Sequence, residues 1–153
     1  MKSTCYIVLI LLLAMAAGCR REKTIAEQMD EKFTVCYRAI SNGDTAWLTV
    51  DTSKKQILGY FKINYVSQKK IYDGQIKGYI HGDTLKGHYD FKVNKVDKWY
   101  RNPVAFLKHR GNLTMGVGEI AMVWGSAYFD EKVPVDYTKG RFVFEEGDCV
   151  KSP

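Results

Sequence analysis

The sequence predicts an all-β protein in which an antiparallel up-and-down meander closes into a barrel of about eight strands. Two observations predict the strands: apolar and polar residues alternate from Phe33 onward, and two turn dipeptides sort the flanking residues into an apolar and a polar face. A third observation, the position of two cysteines, predicts the closure of the barrel. Hydrophobic residues make up 46% of the 153 residues, which is enough for a packed core and excludes wholesale disorder.

The first 18 residues are predicted to be a secretory signal peptide. Lys2 precedes a continuous apolar run over residues 7–17 that ends in small residues, as in the hydrophobic region of such peptides. The run is shorter than the roughly 20 apolar residues that a membrane-spanning helix needs. We therefore expect an exported protein without a spanning helix in this segment.

The end of the signal segment, Ala16-Ala17-Gly18-Cys19, resembles the lipobox of bacterial lipoproteins. The resemblance implies cleavage before Cys19, transfer of a diacylglyceryl group to its thiol and acylation of its amine. Two or more acyl chains give stable membrane anchoring. Arg20 follows, rather than the Asp that retains many such proteins in the inner membrane. The resemblance thus implies a lipid-anchored protein of the cell envelope, and it favours the outer membrane over the inner one.

Residues 19–32 are interpreted as the lipidated cysteine and a polar tether that precede a β-barrel domain over residues 33–153. Apart from Ile25, Ala26 and Met29, the segment after Cys19 is charged or polar. Because Ile25 and Met29 are spaced i, i+4, a short helix packed on the domain is the alternative.

Counting cysteines predicts one disulfide. Cys5 lies in the removed segment and Cys19 carries the lipid, which leaves Cys36 and Cys149 in an oxidising compartment. A disulfide needs Cα atoms within about 7 Å of each other. The end of the domain must therefore return to its first strand, which favours a barrel over a sandwich.

Two turns define the predicted register. Asn42-Gly43 suits a type I′ turn and Gly82-Asp83 a type II′ turn. In both hairpins the apolar partners share one face, and a shift by one residue would mix the faces. The predicted pairs are Ala39 with Ala46, Tyr37 with Leu48, Val35 with Val50, Ile80 with Leu85, Gly78 with Gly87, and Ile76 with Tyr89. Further strands are predicted at residues 57–65, 104–107, 113–123 and 141–144.

This architecture resembles the lipocalin-like and avidin-like barrels of small bacterial lipoproteins. The Gly-x-Trp fingerprint of lipocalins is missing, since Gly43 and Trp47 are too far apart to form it. The resemblance therefore concerns the fold and implies no function.

No catalytic motif is found, neither Gly-x-Ser-x-Gly nor a phosphate loop nor HExxH, so we expect no enzyme and no cofactor. His81, His88 and His109 are the candidate metal ligands. In the predicted register His88 lies opposite Lys77, about 13 Å from His81, which is too far for one ion. We therefore expect surface histidines and no metal site.

The middle of the chain is basic. Residues 54–110 contain 13 Lys and Arg against 4 acids, whereas residues 111–153 contain 4 against 7. The excess fits a patch for anionic head groups, glycans or an acidic partner. The alternative is a solubilising outer face, because Lys62, Lys77, Lys86 and Lys92 alternate with apolar residues and such lysines also protect sheets from aggregation. Nucleic acid is not an expected partner of an exported protein without an aromatic binding motif.

Two functions remain open from the sequence. The first is a non-catalytic barrel that takes a small apolar or amphipathic ligand in its interior or mouth. Its candidate residues are Tyr37, Phe61, Tyr65, Tyr89 and, if it points inward, Glu119, although the tyrosines and Phe61 also suit a filled core. The second is a structural or interaction protein of the envelope that docks another component on its basic surface.

Overall fold

The computed structural model describes residues 22–149, which form a closed antiparallel barrel of eight strands, as predicted. Around the barrel the order is β1, β10, β7, β6, β5, β4, β3, β2, while β8 and β9 form a separate two-stranded sheet. The strands are β1 (Thr34–Ser41), β2 (Asp44–Asp51), β3 (Gln56–Tyr65), β4 (Lys70–His81), β5 (Thr84–Val93), β6 (Tyr100–His109), β7 (Asn112–Met115), β8 (Ile120–Val123), β9 (Ser126–Phe129) and β10 (Val143–Gly147).

Both predicted hairpins have the expected register. Ala39 pairs with Ala46 across the first turn, and Ile76 pairs with Tyr89 across the second. Asn42 has φ 52° and Gly43 has φ 84°, which is the left-handed backbone that a type I′ turn requires. Local turn chemistry therefore determines the pairing of four of the eight barrel strands.

The two ends of the barrel differ in the segments that form them. The basic end consists of the turn between β1 and β2, residues 66–69 between β3 and β4, and residues 94–99 between β5 and β6. The opposite end consists of residues 52–55, the turn between β4 and β5, and the turn between β6 and β7.

A disulfide joins Cys36 to Cys149, with the two Cα atoms 5.1 Å apart, which confirms the predicted pair. Next to it, β10 pairs antiparallel with β1, and Cys36 lies opposite Gly147. The covalent bond thus lies at the seam where the last barrel strand meets the first.

The strand predicted over residues 113–123 is interrupted. The chain leaves the barrel after Met115, where the N–H of Gly116 donates to the carbonyl of Ala105 at 2.8 Å. A Cβ on Gly116 would lie 2.3 Å from Val135, so only glycine fits the packed connection there. Residues 120–129 then form the β8–β9 hairpin before the chain rejoins the barrel at β10.

The segment before the barrel packs against its opposite end. Helix α1 (Ile25–Gln28) begins with a capping box between Thr24 and Glu27, and Ile25 is only 3% exposed. A 3-10 turn (Glu31–Phe33) leads into β1. Residues 22–32 therefore follow the alternative of a packed helix rather than a free tether, whereas Cys19 and the signal segment lie outside the described residues. Within residues 22–149, no helix is long and apolar enough to cross a bilayer.

Asp51, at the end of β2, holds this segment in place. Its carboxylate accepts hydrogen bonds from the N–H of Asp30 at 2.9 Å and of Ser53 at 2.7 Å. Burial by itself raises the pKa of Asp51, but these backbone hydrogen bonds outweigh it, and the pKa lies below its usual value. The ionised carboxylate therefore fixes residues 30–33 against the barrel.

Candidate functional site

Three of the predicted ligand residues lie in the filled interior. Tyr37, Phe61 and Tyr89 point inward and are at most 6% exposed. The ring centroid of Phe61 lies 4.9 Å from that of Tyr89, 5.7 Å from Phe106 and 5.9 Å from Phe144. At this level the rings fill the barrel, so these residues form its core.

Tyr89 also carries the polar group of this core. Its hydroxyl donates to the backbone carbonyl of Phe61 at 2.8 Å. Burial raises the pKa of Tyr89 far above its ordinary value, so the hydroxyl remains a protonated donor. The interior therefore presents a satisfied hydrogen bond rather than a free polar group.

Tyr65, the fourth predicted aromatic residue, lies half-buried at the basic end. Its ring packs edge-on against Tyr72 at 5.1 Å, and the guanidinium of Arg141 lies 5.4 Å above it. Arg141 forms an ion pair with Asp44, a carboxylate that is 2% exposed and also accepts the N–H of Val66 at 2.8 Å. This ion pair, which the sequence analysis missed, covers the basic end of the core.

Glu119 does not point into the barrel, so the condition under which it was a ligand candidate is not met. It is exposed and lies in the connection between β7 and β8, beyond the point where the chain leaves the barrel at Gly116. Its carbonyl accepts the N–H of Asp130 at 2.8 Å. The inward and outward alternation of β7 ends at Met115, so it does not extend to Glu119.

The histidines lie on the outside of the barrel. His81 and His109 are exposed, and the ring of His88 packs edge-on against Tyr128 at 5.0 Å. Burial lowers the pKa of His88, and the nearby Arg101 lowers it further. Among residues 22–149, no three His, Cys, Asp or Glu side chains are grouped closely enough to hold a metal ion.

The basic end gathers lysines that the sequence spreads over 30 residues. Lys69, Lys70, Lys95 and Lys98 are all exposed, and within residues 22–149 no carboxylate lies within 4 Å of their ammonium groups. Lys92 differs, since it binds Asp97 at 2.6 Å. Four cations at this end are therefore free of ion pairs in the described part of the chain.

Apolar side chains lie exposed among these lysines. Trp99 is 57% exposed and Tyr100 is 41% exposed. The ammonium of Lys92 lies 4.9 Å from the ring of Trp99, and that of Lys98 lies 5.1 Å from the ring of Tyr100. Tyr100 extends a stack of rings that includes Phe91 and Tyr72. The basic end thus combines cations with accessible aromatic faces.

Asn94 connects the two loops of the basic end. Its side-chain oxygen accepts the N–H of Ile71 at 2.8 Å, and its amide donates to the carbonyl of Lys69 at 3.2 Å. Its own N–H donates to the carbonyl of Ile71 at 2.8 Å. These three hydrogen bonds hold residues 66–71 beside residues 94–99, so the lysines of both loops share one surface.

A groove of about 1160 Å³ crosses the outer face of β10, β1, β2 and β3. The aromatic rings of Trp47 and Tyr60 line it. Its charged lining residues are mostly acidic: Asp73, Glu145, Glu146 and Asp148 against Arg38 and Lys62. The groove therefore does not suit an anionic ligand, unlike the basic end.

The β8–β9 hairpin exposes a second apolar surface. Trp124 is fully exposed at its turn, and Met122 and Ile120 are 67% and 55% exposed. Tyr128 and Ala127 belong to the strand that packs on the barrel, near His88 and β6. Only the uncharged run over residues 120–129 could have indicated this surface in the sequence.

Compared with known proteins, the chain matches no family model, no curated protein and no solved structure. The eight-stranded antiparallel barrel is consistent with a lipocalin-like fold. Function must therefore be argued from the chain's own surfaces.

Proposed function

We propose that this protein is a lipid-anchored, non-catalytic binding domain of the cell envelope that docks an acidic partner through its basic end. The lipid would be attached to Cys19, as the likeness of residues 16–19 to a lipobox implies. The observation that carries the proposal is the group of four lysines without ion pairs beside Trp99 and Tyr100.

Electrostatics support this site over the outer faces of the strands. Lys62, Lys77 and Lys86 lie on separate strands of the outer face, as a solubilising surface requires. At the basic end, by contrast, two loops bring like charges together, and the hydrogen bonds of Asn94 hold them there. Like charges held in proximity create a positive potential that attracts an acidic partner and accelerates its association.

A small apolar ligand inside the barrel is the alternative function. The packing of Phe61 against three other rings argues against it, because a ligand at that level would have to displace core side chains. Tyr65 is the candidate residue nearest to solvent, and Arg141 lies over its ring. Docking at the basic end requires no such displacement, and we favour it for that reason.

Charge reversal tests the docking site. The quadruple variant K69E/K70E/K95E/K98E is expected to bind its partner about tenfold more weakly or worse, since each exposed ion pair contributes roughly 0.2–1 kcal/mol. The measurement is photo-crosslinking in cells from an unnatural residue at position 96, and adduct yield is compared between variants. The matched control is K54E/K55E/K77E/K86E, which has the same net charge and leaves the basic end intact. Equal loss in both variants, or no adduct from position 96, would contradict the proposal.

Replacing Cys19 tests the anchor. Cys19→Ser removes the thiol that the lipobox likeness assigns to acylation, so the protein should lose its lipid and leave the membrane fraction or accumulate as a precursor. Metabolic labelling with an alkyne fatty acid, followed by fractionation, measures both effects. Cys5→Ser is the control and should be labelled normally. An acylated, membrane-bound Cys19→Ser product would refute the anchor.

A further inference from the structure

We infer that the partner of the basic end is a carboxylate-bearing glycan, held on the side of the domain that faces away from the anchoring bilayer. This inference rests on the proposed function, and it adds the chemical class of the partner and the direction from which it binds.

The anchor joins the domain at the end opposite to Lys69, Lys70, Lys95 and Lys98. Lys23 lies beside Asp51, Lys54 and Gln56, where β2 ends and β3 begins. Lys23 follows Cys19 by four positions, and a chain of four Cα–Cα steps spans at most about 14 Å. The lipid therefore holds the opposite end of the barrel close to the bilayer.

The height of the barrel separates the basic end from that bilayer. β3 has 10 residues and runs from the opposite end to the basic end. At about 3.3 Å per residue and the usual tilt of barrel strands, this corresponds to a height of about 25 Å. Since about 25 Å exceeds the reach of the linker, the domain cannot stand with its basic end face down on the membrane that holds Cys19. Anionic lipid of that membrane is thus an unsuitable partner.

The composition of the basic end fits a glycan better than an acidic protein. Protein interfaces are depleted in lysine, whereas this surface consists of lysines interspersed with single aromatic rings. Trp99 is 57% exposed, and the part of its electron-rich ring that Lys92 leaves uncovered can pack against the C–H groups of a sugar ring. Lys69, Lys70, Lys95 and Lys98 can pair with carboxylates along the same strand. The partner would then need both sugar rings and negative charges.

Variants of Trp99 distinguish a glycan from the other acidic partners. With full-length acylated protein in detergent, Trp99→Ala is expected to weaken binding of an oligogalacturonate by about five- to tenfold, the effect of one aromatic stacking contact. Binding of poly-L-glutamate, which has carboxylates but no sugar, should change by less than about twofold. Trp99→Phe keeps a flat ring and should retain most of the affinity. Trp124→Ala removes a fully exposed Trp from another surface and should have no effect.

The direction of the basic end is tested in vesicles of phosphatidylethanolamine and phosphatidylglycerol (3:1). A fluorophore attached to K95C in the acylated protein should escape a quencher on the lipid head groups, whereas one attached to K54C should be quenched.

The outcomes distinguish a wrong partner class or direction from a wrong docking site. If Trp99→Ala binds oligogalacturonate like the wild type, or if poly-L-glutamate binds more tightly, the glycan is overturned while docking of an acidic partner stands. Quenching at K95C would overturn the outward direction and favour anionic lipid as the partner. If K69E/K70E/K95E/K98E binds every probe as tightly as the wild type, the proposed function itself fails.

Discussion

Phe61→Ala is expected to destabilise the barrel by about 3–5 kcal/mol, the range for removing a large aromatic side chain from a packed core. Phe61 is fully buried, and its ring contacts those of Tyr89, Phe106 and Phe144 from three directions. These neighbours belong to three other strands of the closed barrel, which limits their collapse into the vacated space. Urea unfolding followed by tryptophan fluorescence measures the loss as a lower midpoint.

Two controls make the Phe61 result specific. Trp124→Ala removes an even larger ring, but one that is fully exposed, and should change the free energy of unfolding by less than about 0.5 kcal/mol. Phe61→Leu keeps much of the volume and should lie between the wild type and Phe61→Ala. A loss below about 1 kcal/mol in Phe61→Ala would mean that the interior is loosely filled. That result would support the hypothesis of a small ligand in the barrel interior.

Much of the fold could be predicted because local chemistry determines it. The positive φ that Asn42 and Gly43 adopt fixes the first hairpin, and parity then assigns every side chain of β1 and β2 to a face. The same reasoning holds for β4 and β5 across Gly82. Cys36 and Cys149 supplied the only long-range information, and that one bond distinguished a closed barrel from a sandwich.

The excursion over residues 116–142 could not be predicted, because its causes are non-local. Alternation continues through Met115 and Val117, but the chain leaves the barrel after Gly116, whose N–H makes the last ladder bond to Ala105 on β6. The sequence consequently left the direction of Glu119 open, and the structure places it on the outside. The ion pair of Asp44 with Arg141 joins residues 97 positions apart, and no spacing rule connects them.

The candidate site was predictable in charge but not in position. Counting showed an excess of lysines over residues 54–110, yet most of them alternate along strands and point outward separately. The concentration arises at turns, since residues 66–71 and 94–99 meet only when β4 pairs with both β3 and β5. Asn94 then fixes the two loops to each other through side-chain hydrogen bonds.

The double variant Cys36→Ser/Cys149→Ser is expected to lose about 2–5 kcal/mol of stability. The bond joins residues 113 positions apart, and for a loop of about 100 residues the chain-entropy model gives about 4.7 kcal/mol. The seam that it supports is short: β10 has three paired residues with β1 and two with β7. Without the bond, β10 has few ladder hydrogen bonds with which to close the barrel. Urea unfolding of the double variant measures the loss.

Reduction of the wild-type protein provides an independent test of the same bond. With dithiothreitol in the unfolding buffer, the wild type should unfold at the midpoint of the double variant, while the double variant should not respond to reductant. The double variant is preferable to either single one, because a lone thiol could form intermolecular disulfides and obscure the loss. If the bond acts mainly on the unfolded chain, the folded double variant keeps a native circular dichroism spectrum. Its basic end should also be unchanged, since the loops at residues 66–69 and 94–99 connect β3 to β4 and β5 to β6, away from the seam of β1 and β10. A native spectrum with unchanged stability would instead mean that the β1–β10 ladder closes the barrel unaided.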